Sequence, residues 1–262
     1  MNSSAQIRRW LLPALAGLLA VLGVGSLVAA GYASAEPPAA RTTPTQPVAT
    51  VVPSVPASSS PAATAAQSGT ADRPVAELAD PEWVARVARA GGIPPRAMAA
   101  YAGAALATAE TRPGCGLGWN TLAAIGSVES EHGTMNGATI GDDGIANPPI
   151  IGVPLNGAKG VARIPDTDDG VLDDDTTWDR AVGPMQFIPA TWAAHALDGT
   201  RDGTADVHNI DDAALTAAAY LCDAGGDLTV AQNWIAAIAA YNSDATYNNS
   251  VASAASRYAG LD

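Results

Sequence analysis

Three textures follow one another along the chain. From Trp10 to Ala30 no charged residue interrupts an apolar run. From Glu36 to about Ala71 nearly every residue is Pro, Ala, Thr, Ser or Val. Beyond that, apolar positions recur at intervals of three and four between cap and stop residues, which predicts helices. Asp80-Pro81-Glu82 opens one that ends at Gly91-Gly92, by a cap followed by a proline in the first turn. Pro94-Pro95 opens a second, in which Met98, Tyr101, Ala102 and Leu106 share a buried face. A third runs from near Asn120 to Gly133, and later ones cover Asp211 to Asp223, Val230 to Tyr241 and roughly Asn249 to Tyr258. Strand-like alternation of Val, Ile and Thr is scarce. The expectation is a mainly α domain interrupted from Met135 to Trp178 by an irregular insertion rich in Gly, Pro and Asp. A loop that long in a compact domain is usually functional or mobile.

The first two textures point to export. Arg8 and Arg9 precede the apolar run, and Ala33-Ser34-Ala35 is a small-x-small pattern of the kind signal peptidases cut. Residues 1–35 therefore read as a signal peptide or a signal anchor. The run is close to the ~20 residues that span a bilayer, whereas Pro13, the glycines and Ala33-Ser34-Ala35 favour cleavage. Residues 36–71 lack the large side chains that offset the entropy of ordering, and read as a disordered tether. Residues 72–262 are the folded domain. Acidic residues outnumber basic ones 26 to 13, and the net charge of −13 argues against broad electrostatic binding to nucleic acid or anionic lipid. The two cysteines, Cys115 and Cys222, are most simply a disulfide in an oxidising compartment, the alternative being two buried thiols. Neither has a Cys or His neighbour at metal-finger spacing, so no zinc site is expected.

Within the third helix Leu122, Ile125 and Glu129 follow the i, i+3, i+7 spacing of one face. Glu129 thus lines up with side chains that point inward, while Glu131 lies about 200° round the helix and faces water. A carboxyl in an apolar wall has its neutral form favoured, so it can act as an acid near neutral pH. The competing reading is a structural glutamate that caps the helix or pairs with an arginine. Further on, Asp198-Gly199-Thr200-Arg201-Asp202-Gly203-Thr204-Ala205-Asp206 carries oxygens at alternate positions and glycine at the sixth, as in the first half of a calcium-binding EF-hand loop. Asn209 stands where that loop has its glutamate, and a solvated Asp/Gly turn is the alternative. The run Asp166, Asp168, Asp169, Asp173, Asp174, Asp175 suits no single metal cage and reads mainly as a solvated loop. His132 is expected in the wall near Glu129, and His195 and His208 at the surface. No Ser/His/Asp arrangement, cysteine-nucleophile motif or phosphate-binding glycine loop is present.

Glu129-Ser130-x-His132-Gly133, Gly183-Pro184-Met185-Gln186-Phe187-Ile188-Pro189 and Ala239-Ala240-Tyr241-Asn242 occur in this order. From about Pro94 to Gly260 the chain resembles the lysozyme-like lytic murein transglycosylases, of the type of membrane-bound lytic murein transglycosylase B. That resemblance implies a lysozyme-like helical fold and cleavage of the β-1,4 bond between N-acetylmuramic acid and N-acetylglucosamine, leaving a 1,6-anhydromuramic end. It makes Glu129 the single catalytic acid and then base, in place of the two carboxylates of the usual glycosidase. The Gly183–Gln186 turn would meet the sugar, with Met185 and Gln186 in the substrate site and Phe187 and Ile188 packed beneath; a plain turn into the helix at Pro189 is the competing view. Tyr241, followed by Asn242, would orient Glu129 or contact an N-acetyl group, or be a buried structural tyrosine. Thr177 stands where such proteins carry a hydroxyl residue, although Trp178-Asp179-Arg180 departs from their small residues. Trp178 and Trp192 would stack on sugars or belong to the core.

The same resemblance extends the acidic loop to Asp212. Asp198, Thr200, Asp202 and Asp212 would then supply side chains and Thr204 its carbonyl to a structural calcium ion. No cofactor for catalysis is expected. The implied partner is the peptidoglycan glycan strand, met by an exported monomer that an uncleaved N-terminal segment would hold at the membrane. The alternatives are a muramidase that uses water, and a non-catalytic glycan-binding module.

Overall fold

A computed structural model describes residues 72–158 and 161–261, so the readings of residues 1–35 as export signal and 36–71 as tether lie outside the described residues. The domain is mainly helical, as expected. α1 (Pro81–Gly91) begins where the Asp80 carboxylate accepts the Trp83 amide at 2.8 Å and stops at Gly92, whose φ of 66° only glycine adopts freely. α2 (Pro95–Thr111) is buried around almost its whole circumference, from Ala97 and Met98 through Tyr101 to Thr108. α3 spans Trp119–Ser130, α4 Pro189–His195, α5 Ile210–Gly225, α6 Ala231–Tyr241 and α7 Ala245–Ala259.

Two boundaries differ from the sequence expectation. α3 ends at Ser130, because Glu131, His132 and Gly133 all take left-handed backbone conformations. α7 begins at Ala245, well before Asn249, because the Asp244 carboxylate accepts the Tyr247 amide at 2.9 Å and nucleates the helix there.

The core is built largely from alanine. Ala97, Ala100 and Ala104 on α2 and Ala213, Ala214, Ala217 and Ala218 on α5 are buried, so the two helix backbones pack closely. α3 packs chiefly on α7 and also on α2. Larger side chains fill the remainder: Trp83 meets Trp119 edge-on at 5.7 Å, and Leu122, Ile125, Ile210 and Leu221 are fully enclosed. Cys115 and Cys222 form a disulfide with a Cα–Cα distance of 5.5 Å that joins the exit of α2 to α5. Closing a loop of 107 residues stabilises by about 4–5 kcal/mol in the chain-entropy model.

The insertion carries one small antiparallel hairpin, β1 (Thr139–Ile140) with β2 (Ala146–Asn147). Its aspartates are not simply solvated, which corrects the sequence reading. Asp173 is buried and accepts the amides of Asp175 and Arg180, and just past the insertion the buried Asp179 accepts the amide and hydroxyl of Thr167 inside it. A segment with so little regular pairing must satisfy its backbone N–H groups by other means, and short acidic side chains do so here.

Candidate active site

Glu129 occupies the last turn of α3, half-buried, while Glu131 is exposed. The Tyr247 hydroxyl, from the first turn of α7, donates a 2.6 Å hydrogen bond to Glu129 Oε1. Burial pushes the Glu129 pKa up to about 7, against the opposing pull of the Tyr247 bond. The carboxyl therefore carries its proton through much of the neutral range, as a general acid requires.

The Gly183–Gln186 turn is built against this end of α3. Val182 and Phe187 exchange backbone hydrogen bonds across it, and the Ser130 hydroxyl donates to Pro184 O at 2.6 Å while accepting the Gly133 amide. A Cβ at Gly183 would lie 2.0 Å from Val207 O, and its φ is 77°, so both space and conformation require glycine. The Tyr241 hydroxyl, at the end of α6, donates to Met185 O at 2.7 Å. Burial raises the Tyr241 pKa, and the charge of Glu129 adds to it, which places that phenol in the electrostatic reach of the carboxyl. Tyr241 also lines a cavity of about 230 Å³ together with Gln186, Phe187, Ile188, Thr191 and Tyr220.

The predicted residues divide accordingly. Met185, Gln186 and Tyr241 meet at the turn, Gln186 and Tyr241 line the cavity, and the end of α3 that carries Glu129 is joined to the turn through Ser130. Met185 itself is fully buried and offers its carbonyl to Tyr241. Gln186 is in left-handed conformation, and its amide donates to Gly183 O at 3.0 Å, so this side chain braces the turn as well as lining the cavity. The hydroxyl that orients Glu129 comes from Tyr247 and not Tyr241. Tyr247 is absent from the sequence motifs; Asp244 three residues earlier was the available signal, since a helix capped there puts Tyr247 in its first turn. Asn242 accepts the Asp244 amide at 3.0 Å and its carbonyl receives Asn248 Nδ2, which shapes the α6–α7 corner. Thr177 is exposed, with its amide on Asp175 and its carbonyl on the Asp166 amide, inside the acidic insertion. Trp192 is buried against Phe187 and belongs to the core; Trp178 is half-buried under the Arg163 guanidinium.

The turn after Glu129 is held by helix-ending bonds from His132 N to Gly126 O at 2.8 Å and from Glu131 N to Ser127 O at 3.3 Å. Its two left-handed non-glycine residues, Glu131 at φ 53° and His132 at 61°, cost about 1–2 kcal/mol each. His132 is buried as expected and His195 is exposed against Tyr220, whereas His208 is half-buried and not at the open surface.

In the acidic loop Asp198 accepts the Arg201 and Gly203 amides and the Thr200 hydroxyl. Asp212 accepts the amides of Gly199, Thr200 and Asp206, and Asp202 accepts that of Thr204. Burial raises the Asp212 pKa to about 6. Backbone amides thus meet both carboxylate oxygens of Asp198 and of Asp212 and one of those of Asp202. Among the described residues, the acidic side chains whose oxygens converge within 4.8 Å are Asp166, Asp168 and Asp179, not Asp198, Asp202 and Asp212. As they stand, the carboxylates of Asp198, Asp202 and Asp212 do not converge on the position of a single ion.

Residues 168–235 match the family model of the transglycosylase SLT domain. The matched stretch runs from the acidic insertion through the Gly183–Gln186 turn, α4 and α5 into α6. It begins after Glu129 and ends before Tyr241 and Tyr247. No curated protein and no solved structure matches the chain. The match supports a lytic transglycosylase family, and with the helical architecture it bears out the lysozyme-like fold class expected from the sequence.

Proposed function

We propose that this protein is an exported lytic transglycosylase of the membrane-bound B type, which cleaves the β-1,4 bond between N-acetylmuramic acid and N-acetylglucosamine in peptidoglycan. The observation that carries the reading is Glu129, a half-buried carboxyl with its pKa raised to about 7 and a tyrosine fixing one oxygen, set beside the glycine-proline turn. The match of residues 168–235 supports peptidoglycan as the substrate.

In this mechanism protonated Glu129 gives its proton to the glycosidic oxygen as the bond breaks. The resulting carboxylate then takes the proton of the muramoyl 6-hydroxyl, which attacks the anomeric carbon and closes the 1,6-anhydro ring. One residue serves both steps because the first leaves it deprotonated. The Tyr247 hydroxyl stabilises that carboxylate between the steps, and the Gly183–Gln186 turn and the Tyr241 cavity supply a wall for the sugar.

The test is mass spectrometry of purified peptidoglycan digested by the full chain and by Glu129→Gln. Anhydromuropeptides from the wild type alone are expected. Reducing-end muropeptides, heavier by one water, would make the protein a muramidase. Glycan binding without turnover by folded wild type would make it a binding module.

A further inference from the structure

We infer that His132 is a positioning residue for Glu129: its imidazole, held between the hydroxyls of Tyr101 and Tyr258, pins the left-handed turn that ends α3 and thereby the place where Glu129 meets Tyr247. This rests on the reading of Glu129 as the catalytic acid.

The turn is a conformation that its residues do not favour by themselves. Glu131 and His132 are consecutive non-glycine residues at positive φ, followed by Gly133 at 82°. Such a stretch persists when surrounding contacts over-determine it. The His132 amide bond to Gly126 O folds the chain back, and the ring goes into the core, only 6% exposed. There Nδ1 lies 3.4 Å from the Tyr101 hydroxyl and Nε2 lies 3.0 Å from the Tyr258 hydroxyl. A neutral imidazole has one donor and one acceptor, and a phenol can play either part, so the uncharged ring satisfies both contacts, one as donor and one as acceptor. Burial and the neighbouring Arg257 charge keep it so, lowering its pKa to about 4.

The two tyrosines come from different helices. Tyr101, fully buried on α2, reaches so close to α3 that a Cβ on Gly126 would lie 2.0 Å from its hydroxyl. Gly126 is one helical turn before Glu129. Tyr258 is on α7, the helix that also carries Tyr247. α7 is therefore tied to the end of α3 at two points, Tyr247 on Glu129 and Tyr258 on His132. Releasing the second lets α7 shift against α3 and lengthens the first. Because the Tyr247 bond favours the Glu129 carboxylate, its weakening moves the Glu129 titration to higher pH.

The experiment uses the full chain with ¹³C-labelled glutamate, the Glu129 carboxyl being assigned by its loss in Glu129→Gln. The wild type is compared with His132→Asn, which tolerates the left-handed conformation but cannot span both hydroxyls, and with Tyr258→Phe, which removes one of them. Kinetics on glycan strands accompany the titrations. In His132→Asn the Glu129 midpoint is expected to rise by about one pH unit, with kcat down about tenfold or more. KM should stay within about twofold, and Tyr258→Phe should move the same way by less. A folded His132→Asn with unchanged midpoint and unchanged kcat would overturn the inference. Should that variant not fold, an unshifted midpoint in Tyr258→Phe overturns it. A wild type without turnover would instead overturn the reaction assignment, while the titrations still decide the role of His132.

Discussion

The Tyr247 hydroxyl and the Glu129 carboxyl lie 2.6 Å apart although 118 residues separate them in the chain. That bond lowers the Glu129 pKa while burial raises it, and burial wins. The balance sets the pH range in which the carboxyl can act as an acid.

Tyr247→Phe removes the opposing contribution and leaves the apolar wall intact. The Glu129 pKa should rise above about 7, so the alkaline limb of kcat/KM moves to higher pH, because the reactive form is the protonated one. The stabilised carboxylate of the second step is also lost, and kcat should fall by about tenfold. A pH–rate profile that does not move would show that the bond has no part in tuning Glu129.

Glu129→Gln should stabilise the fold selectively at high pH. The folded-state pKa of about 7 exceeds the ordinary value of 4.5. The wild type therefore binds more protons folded than unfolded between these values, and loses stability as pH rises through that window. At pH 8 the variant should exceed the wild type by about 3 kcal/mol, and at pH 4 the two should be nearly equal. Urea unfolding at both pH values measures the difference; equal curves at pH 8 would count against a desolvated carboxyl.

Gly183→Ala brings two penalties together. The new Cβ meets Val207 O, and alanine must hold a φ of 77°. A loss of about 2–4 kcal/mol is expected. Because the turn is bonded to Ser130 and Tyr241, glycan cleavage should fall further than stability alone explains. Thermal unfolding and turnover on the same preparation separate the two effects.

Asp212→Ala leaves three backbone amides, those of Gly199, Thr200 and Asp206, without their acceptor. The domain should lose about 2–4 kcal/mol. These bonds belong to the protein itself, so the loss should be the same with a chelator present as with millimolar calcium. A loss seen only in calcium would return Asp212 to the role of a metal ligand.

Much of the helical framework was legible from local signals. Asp80-Pro81 and Gly91-Gly92 bounded α1 through capping and the conformational freedom of glycine. The spacing of Leu122, Ile125 and Glu129 placed one carboxyl inward, and Glu131, two residues on, toward water. The cysteine pair, read as most simply a disulfide, is one. Aspartates were harder to read, because an acidic run looks solvated by composition alone. Only the folded insertion shows Asp173 and Asp179 accepting amides that its sparse strands leave unpaired.

The sequence by itself determined the helix-forming periodicity, the inward face of Glu129 and the order of the three motifs, because each depends on neighbours a few residues away. The tertiary structure alone decided which hydroxyl meets Glu129, which carboxylates converge, and that His132 bridges α2 and α7. The physical reason is range. Capping and periodicity act within a turn or two of helix, whereas a hydrogen bond across 118 residues exists only once the helices have packed.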